Sequence, residues 1–236
     1  GMERRKFAYI PNGIDLGDWR GDPEKIPGEH EKALSRMRGE GGLIVGYAGA
    51  HGLANDLDAL LDGAEILKKE NLRFVLVGQG PEKEKLRGRC RSRGLDRVVF
   101  LPPVSRKAIP DLLARMDVLY LGLRREPLFR FGVSPNKLMD YMMSGKPVVQ
   151  AIEAGNDLVR DSGCGFTVPP GDARALAGAL RAMAALPPGE RERMGGRGRA
   201  YVMARHHYGI LGEAFLGVLR PDGTGPAGGG DGHPAS

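Results

Sequence analysis

The sequence has 236 residues, with 35 Lys or Arg against 29 Asp or Glu and a formal net charge of +6. Its hydrophobic fraction of 41% is enough for an ordinary core, which excludes a wholly disordered chain, and no run approaches the ~20 apolar residues of a membrane span. Two cysteines and five scattered histidines argue against a disulfide scaffold and a zinc site, so we expect a reduced, cytoplasmic protein.

The basic residues do not indicate a nucleic-acid partner. A run such as Arg87, Arg89, Arg91 and Arg93 lies in a predicted helix and is typical of a solvated helix face. No aromatic platform accompanies these charges, although stacked aromatic side chains usually accompany basic residues in nucleic-acid sites. We therefore expect the chain to bind no nucleic acid.

The two ends of the sequence differ in character from the part between them. Gly1 before Met2 resembles the scar of a removed tag, and we assign residues 1–6 to this leader. Residues 221–236 are rich in Gly and Pro and predict a disordered tail. The folded domain is therefore expected over residues 7–220.

Within this domain, short apolar runs alternate with segments of helical period. Strands are predicted at residues 43–48, 73–77, 98–101, 118–121, 147–150 and 165–168. Helices are predicted at residues 56–70, 82–93, 105–115, 135–143, 173–186 and 190–219, the last broken near 206–209. This alternation predicts a Rossmann-like α/β fold, a parallel sheet with helices on both faces. Ligands of such sheets bind at the carboxyl ends of the strands.

The loops after the first two strands carry glycines that would let a ligand approach the backbone closely, at Gly49, Gly52, Gly78 and Gly80. A helix amino end, which we expect Asn55 to cap, follows the first loop and could hold a phosphate. Plain tight turns would explain the same glycines. The spacing is not G-x-G-x-x-G, and Gln79 stands where a nicotinamide site would have an acid, which argues against a dehydrogenase.

The segment from residue 131 to residue 141 is the most informative for function. Ser134 can cap a helix that begins at Pro135, which is a sufficient structural explanation. Lys137 and Asp140 are three residues apart and share one helix face near its amino end. There the cation could meet a phosphate and the carboxylate could accept both hydroxyls of a ribose. A surface ion pair would explain the same spacing.

Asp56 and Asp58 spell a D-x-D sequence, the motif with which some enzymes hold a divalent metal. Residues two apart on a helix point about 200° away from each other, so the two carboxylates would not share an ion. We interpret both as surface acids and expect no metal ion.

Several motifs in order resemble one family. The segments IPNGID, FVLVGQGP, VVFLPPV and SPNKLMDYMMSGKPVV are similar to the carboxyl-terminal, donor-binding domain of a GT-B glycosyltransferase. The resemblance is to glycosyltransferase family 4, among the bacterial polysaccharide, colanic-acid and N-acetyl-fucosaminyl transferases, and covers residues 9–219. It implies a retaining enzyme that moves a sugar from a nucleotide donor, usually linked to UDP, to a saccharide or lipid-linked acceptor. It implies no cofactor and no bound metal.

The resemblance also implies roles for individual residues. Asp140 stands five residues before the glycine of GKPVV, where the family has a glutamate that binds the donor ribose. The amides of Gly132, Val133 and Ser134 match those that hold the diphosphate. The nucleobase would lie near Pro102–Val104, just after the third strand.

The sequence departs from the family pattern at the charged positions. The Arg and Lys that many members carry after the first strand are replaced by Ala50 and Asn55. The first family glutamate would fall on Gly132, and Glu126 could replace it only across an insertion. Substitute charges and leaving-group contacts would then come from the candidate catalytic residues, Lys137, Glu126 and His51.

The family implies a partner domain. The chain resembles only the donor half of the enzyme, so we expect an amino-terminal acceptor domain as its partner and no sugar transfer by this half alone. The last helix would cross onto that domain, leaving Phe215, Leu216 and Leu219 exposed here. The net positive charge is compatible with peripheral association at the inner face of the membrane. A sugar-nucleotide epimerase on the same fold and a non-enzymatic nucleotide-binding module remain alternatives.

Overall fold

A six-stranded parallel sheet organises the protein. The computed structural model describes residues 8–219, so the predictions for the leader and the tail lie outside the described residues. The strands are β1 (Leu43–Ala48), β2 (Leu72–Val77), β3 (Val98–Leu101), β4 (Val118–Gly122), β5 (Val148–Ala151) and β6 (Gly165–Val168). Each lies within one residue of its predicted bounds. Their order across the sheet is β3-β2-β1-β4-β5-β6, with every neighbouring pair parallel.

The helices between the strands cover both faces of the sheet. They are α1 (Gly28–Gly39), α2 (Leu57–Ile66), α3 (Lys83–Arg93), α4 (Ile109–Ala114), α5 (Asn136–Met143), α6 (Leu158–Ser162), α7 (Ala173–Ala185), α8 (Pro188–Arg205) and α9 (Tyr208–Leu219). Residues of α1, α4, α5 and α6 pack in one apolar cluster, and those of α2, α3 and α7 pack in the other. The predicted Rossmann-like α/β fold is confirmed.

From β1 to β3 each new strand is added on one side of β1, whereas β4, β5 and β6 are added on its other side. The strand order therefore reverses between β1 and β4, which lie side by side at the centre of the sheet. All residues of both strands are buried, as expected for strands covered on two faces. In such sheets the loops that leave the two central strands diverge, and the gap between them at the carboxyl edge is the usual ligand site.

Two helix starts differ from their predictions. Pro135 precedes α5 as its N-cap, and the Ser134 hydroxyl accepts a hydrogen bond from the backbone N–H of Asn12 (3.0 Å) instead of capping the helix. Asn55 does not cap α2, because Asp56 lies between them with a positive φ of 46°. The Asn55 side chain instead accepts a hydrogen bond from Nζ of Lys137, which is distant in the sequence.

Two of the arginines of α3 are only partly solvated, because they form ion pairs with the neighbouring helix α2. Arg89 donates to Asp62 on α2 (2.9 Å), and Arg93 donates to Glu65 (2.9 Å). Arg87 pairs with Glu84 within α3, on the surface. The ion pairs therefore join α2 to α3, which explains why a helix with few apolar residues packs at this position.

The amino-terminal segment joins the break between α8 and α9. The N–H of Ile14 donates to the carbonyl of His206 (2.8 Å), and the N–H of Tyr208 donates to the carbonyl of Ile14 (3.1 Å). The helix break predicted near residues 206–209 is thus confirmed. Phe215, Leu216 and Leu219 on α9 are each more than half exposed, as expected. Within residues 8–219 no helix is both long and apolar enough to cross a bilayer.

Candidate functional site

The loops after β1 and β2 lie against each other at the carboxyl edge of the sheet. The N–H of Gly49 donates to the carbonyl of Val77 (2.9 Å), and the N–H of His51 donates to the carbonyl of Gln79 (2.8 Å). A Cβ at Gly78 would lie 1.9 Å from the Gly49 carbonyl oxygen. This glycine is therefore needed for packing one loop on the other, which agrees with the plain-turn explanation and does not test close approach by a ligand.

The other three glycines of these loops have different surroundings. A Cβ at Gly80 would lie 2.5 Å from the carbonyl oxygen of His51, so this glycine too serves loop packing. A Cβ at Gly49 would lie 2.9 Å from Cε of Lys137, so its absence gives the lysine room beside the loop. At Gly52 only the Asn55 side chain comes within 4 Å. Donor binding by the four glycines stays a prediction.

Lys137 reaches from the first turn of α5 to the loop after β1. Its Nζ donates to the Tyr47 hydroxyl (3.2 Å) and to Oδ1 of Asn55, and it lies 5.1 Å from the centroid of the Tyr47 ring. Burial lowers the pKa of Lys137 to about 8. Among residues 8–219 no carboxylate forms an ion pair with this ammonium group. A partly buried cation without a counter-ion is suited to an anionic ligand.

Asp140 lies one turn further along α5 and faces a different loop. Only 7% of the residue is exposed, its Oδ2 accepts a hydrogen bond from Nη1 of Arg106 (2.5 Å), and its buried Oδ1 accepts none of ordinary geometry. Burial raises the pKa of Asp140, while Arg106 opposes that rise. Lys137 and Asp140 do not pair with each other in the described part of the chain, so the surface ion pair considered for them is not formed.

Asp140 borders a cavity of about 290 Å³ at this edge of the fold. The cavity wall combines α5 with the amino-terminal segment and the start of α9, at Gly13, Ile14, Asp15, Asp18, Arg106, Asn136, Met139, Asp140 and Tyr208. Val104 lies two residues before Arg106, half-buried against the core. Asp140, the ribose candidate, therefore lines this cavity, and Val104, the nucleobase candidate, lies two residues from a lining residue.

The amides expected to hold a diphosphate are largely occupied by protein acceptors. The N–H of Gly132 donates to the carbonyl of Phe129 (2.8 Å), and the N–H of Val133 donates to Oδ1 of Asn156 (2.7 Å). The N–H of Ser134 has no acceptor among the described residues. In this conformation one of the three predicted amides is available, and the other two would have to exchange partners.

His51 does not share an open site with Lys137 and Asp140. Its side chain has no exposed surface, and its ring lies between those of Tyr47 and Phe100, at centroid distances of 6.0 Å and 5.9 Å. Neither ring nitrogen has a hydrogen-bond partner in the described part of the chain. Burial, with a smaller effect from Lys83, lowers the pKa of His51 to about 4. A neutral, enclosed imidazole does not meet a leaving group in this conformation, so the predicted catalytic role would require the loop to open.

Glu126 is exposed and precedes the short 3-10 helix Pro127–Phe131 in the loop after β4. Its carboxylate forms no hydrogen bond or ion pair among the described residues, and so none with Lys137. The structure therefore does not bring Glu126 together with the other two catalytic candidates, Lys137 and His51. Its catalytic role stays a prediction.

The helical spacing expected for the D-x-D sequence is wrong for Asp56. Asp56 precedes α2, so the two carboxylates do not point in opposite directions. Both face Arg124, whose Nε lies 3.9 Å from Asp56 and whose Nη2 lies 3.7 Å from Asp58. In the described range no three His, Cys, Asp or Glu residues are grouped as metal ligands. Metal-free binding remains a prediction.

Three contributors to the site were missed in the sequence. Arg106 pairs with Asp140, Tyr47 contacts Lys137, and Asn156 occupies the amide of Val133. Arg106 lies two residues after Val104, the end of the predicted nucleobase segment, which was the available signal for it. Tyr47 lies within a strand and Asn156 in a loop without a motif, so only the folded chain brings them to the site.

Comparison with known proteins adds independent information. A family profile described as Glycosyl transferases group 1 matches residues 42–185. A protein of Escherichia coli named as the colanic acid biosynthesis glycosyl transferase WcaI is 30% identical over 148 residues, which are 61% of this chain and 36% of WcaI. WcaL of the same organism, also named for colanic acid biosynthesis, is 27% identical over 190 residues, 79% of this chain and 44% of WcaL.

A solved structure shares the fold. The crystal structure of Anabaena HepE in complex with UDP-glucose superposes with a TM-score of 0.71 at 22% identity, over 89% of this chain and 56% of HepE. The chain thus spans less than half of the length of WcaI and WcaL and about half of HepE. The profile covers more than half of this chain, from β1 through α7. The protein therefore belongs to the glycosyl transferases group 1 family.

Proposed function

We propose that the chain is the carboxyl-terminal, donor-binding half of a retaining family 4 glycosyltransferase. It would bind a nucleotide sugar, with UDP as the nucleotide, for transfer to a saccharide or lipid-linked acceptor in surface polysaccharide synthesis. The observation that carries the proposal is the pair of groups on α5. Lys137 is a partly buried cation without a counter-ion among residues 8–219, and Asp140 is a buried carboxylate beside a cavity.

The chemistry follows from these two groups. The Lys137 ammonium and the amide of Ser134 lie at the amino end of α5, where the partial positive charge of the helix also favours an anion. A diphosphate held there is a better leaving group, because its developing charge is stabilised as the glycosidic bond breaks. Asp140 would accept hydrogen bonds from the ribose hydroxyls, and Val104 would lie beside the base.

The names of the similar proteins support the choice of donor and pathway. WcaI and WcaL are named for colanic acid biosynthesis, and HepE was crystallised with UDP-glucose. The same substrate class, carried over to this chain, gives a UDP-linked sugar and a polysaccharide product. We place the reaction in the cytoplasm, at the inner face of the membrane where lipid-linked acceptors lie.

A second domain completes the proposed enzyme. The matched segments cover only 44% of WcaL and 56% of HepE, and proximity of the acceptor to the donor is a large part of catalysis. The exposed apolar side chains of α9 would then pack on the acceptor domain. The chain alone is expected to bind the donor without transferring its sugar.

Calorimetry of the chain with UDP-, GDP- and ADP-glucose tests this proposal. We expect the UDP-sugar to bind more tightly than the other two, and equally well in excess EDTA or with Mn²⁺. The lack of binding by any of the three would contradict nucleotide-sugar binding. A large, saturable Mn²⁺ dependence would contradict the metal-free site and direct attention to Asp56 and Asp58.

A further inference from the structure

The charge partner of Asp140 is itself held from a second side. The Arg106 guanidinium donates through Nη1 to Asp140 (2.5 Å) and through Nε to Asp18 (3.0 Å). Asp18 belongs to the 3-10 helix Leu16–Trp19 of the amino-terminal segment. The chain Asp18–Arg106–Asp140 therefore links three separate segments at the wall of the 290 Å³ cavity.

Arg106 is not a core residue. About half of its side chain (51%) is exposed, against 10% for the carboxylate side chain that it contacts. The side chain therefore fills no core volume, and a residue of similar length can take its place without leaving a cavity. Its contacts are instead concentrated on two carboxylates, which is the typical use of a planar, always-charged guanidinium.

The ion pair leaves the carboxylate of Asp140 able to accept further hydrogen bonds. An ionised carboxylate accepts about four hydrogen bonds, and Arg106 takes up one of them. We propose that Arg106, held by Asp18, is a positioning residue that fixes the Asp140 carboxylate for a ribose hydroxyl in the cavity. This inference rests on the proposed function, since it assigns a supporting role within the same donor site.

Two physical effects make the support necessary. Burial on α5 disfavours the charged form of Asp140, and Arg106 opposes this effect. The other groups that face the carboxylate are the Trp19 indole N–H, which favours its charge, and Asp18, which disfavours it. Asp15 also borders the cavity. Arg106 is the cation among these groups. Its removal should therefore raise the pKa of Asp140 and let the Asp140 side chain adopt other rotamers.

The test uses Arg106→Met, Arg106→Lys and, as a matched control, Arg87→Met on the exposed pair of α3. Affinities for UDP, 2′-deoxy-UDP and uridine are measured at about pH 8 and at about pH 5.5. For Arg106→Met we expect about tenfold weaker binding of UDP and uridine alike at the higher pH. We expect a larger loss at the lower pH and little remaining preference for the 2′-hydroxyl.

Arg106→Lys should restore most of the affinity and the 2′-hydroxyl preference, and Arg87→Met should bind as the wild type does. The inference is overturned if Arg106→Met retains wild-type affinities at both pH values. It is also overturned if this variant weakens UDP but not uridine, because Arg106 would then act on the phosphates. If the wild type binds none of the three ligands, the proposed function itself fails. If the wild type binds these ligands and Arg106→Met binds them equally well, only the positioning role is contradicted.

Discussion

Lys137 combines two properties that rarely occur together in a lysine. It is largely withdrawn from solvent, and its contacts are a tyrosine hydroxyl, an amide oxygen and an aromatic face. None of these carries a full negative charge. The site is thus electrostatically incomplete in a way that a diphosphate would complete, and the same burial makes the charge of Lys137 sensitive to pH.

The pH dependence of UDP binding follows from this property. Burial lowers the pKa of Lys137 to about 8 in the folded protein, so the ammonium form is lost as the pH rises through that value. UDP affinity should fall between about pH 7.5 and about pH 9.5 and approach that of Lys137→Ala. Calorimetry across this range measures the effect.

Lys137→Arg is the control for this titration, because a guanidinium stays charged throughout the range. Its affinity for UDP should be nearly independent of pH. A wild-type profile as flat as that of Lys137→Arg would show that Lys137 does not titrate in contact with the diphosphate.

At the scale of elements, the packing of the two glycine-rich loops sets the shape of the carboxyl edge. A Cβ at Gly78 would lie 1.9 Å from a backbone oxygen of the neighbouring loop. Because backbone cannot move aside as a flexible side chain does, Gly78→Ala should destabilise the fold by about 1–3 kcal/mol or more. Urea denaturation measures this change.

Gly88→Ala is the matched substitution on α3, where no described atom outside the neighbouring backbone of α3 lies within 4 Å of the added Cβ. It should stabilise the protein by about 0.5–1 kcal/mol, because alanine favours a helix interior over glycine. Equal changes in the free energy of unfolding for the two substitutions would contradict the close packing of the two loops.

The elements differ in how well the sequence predicts them, for a physical reason. Each strand is a short, almost continuous apolar run, because both faces of the sheet are covered, and all six were predicted to within one residue. The helix Gly28–Gly39 was missed because its buried side chains are only His30, Leu34 and Met37. The helix Leu158–Ser162 is too short to show a period.

The candidate site was predictable to a smaller extent. The spacing of Lys137 and Asp140 and the family resemblance pointed to the amino end of α5, and the two side chains do lie there. Their partners come from loops distant in sequence, which no local pattern connects. The same is true of His51, since its enclosure by two aromatic rings results from loop packing and not from neighbouring residues.

At the scale of the whole molecule, the amino-terminal segment connects the site to the last two helices. Asn12 donates from its side chain to the Ser134 carbonyl (2.6 Å), and Ile14 pairs with His206 and Tyr208 at the break before α9. The segment that contacts the proposed diphosphate loop thus also anchors the helix with the exposed apolar face. In the proposed two-domain enzyme, movement of α9 with its partner domain would reach the donor site through this segment.

The central claim is that one helix holds two different parts of a nucleotide diphosphate. It is tested most directly by calorimetry of Lys137→Ala and Asp140→Ala with UDP, 2′-deoxy-UDP and uridine, beside Lys32→Ala on the remote helix α1. Asp140→Ala should weaken UDP about 10- to 100-fold, through loss of charge-assisted hydrogen bonds, and weaken 2′-deoxy-UDP less. Lys137→Ala should weaken UDP much more than uridine, by a factor that shrinks with added salt. Wild-type affinity of both folded variants for every ligand would contradict the claim.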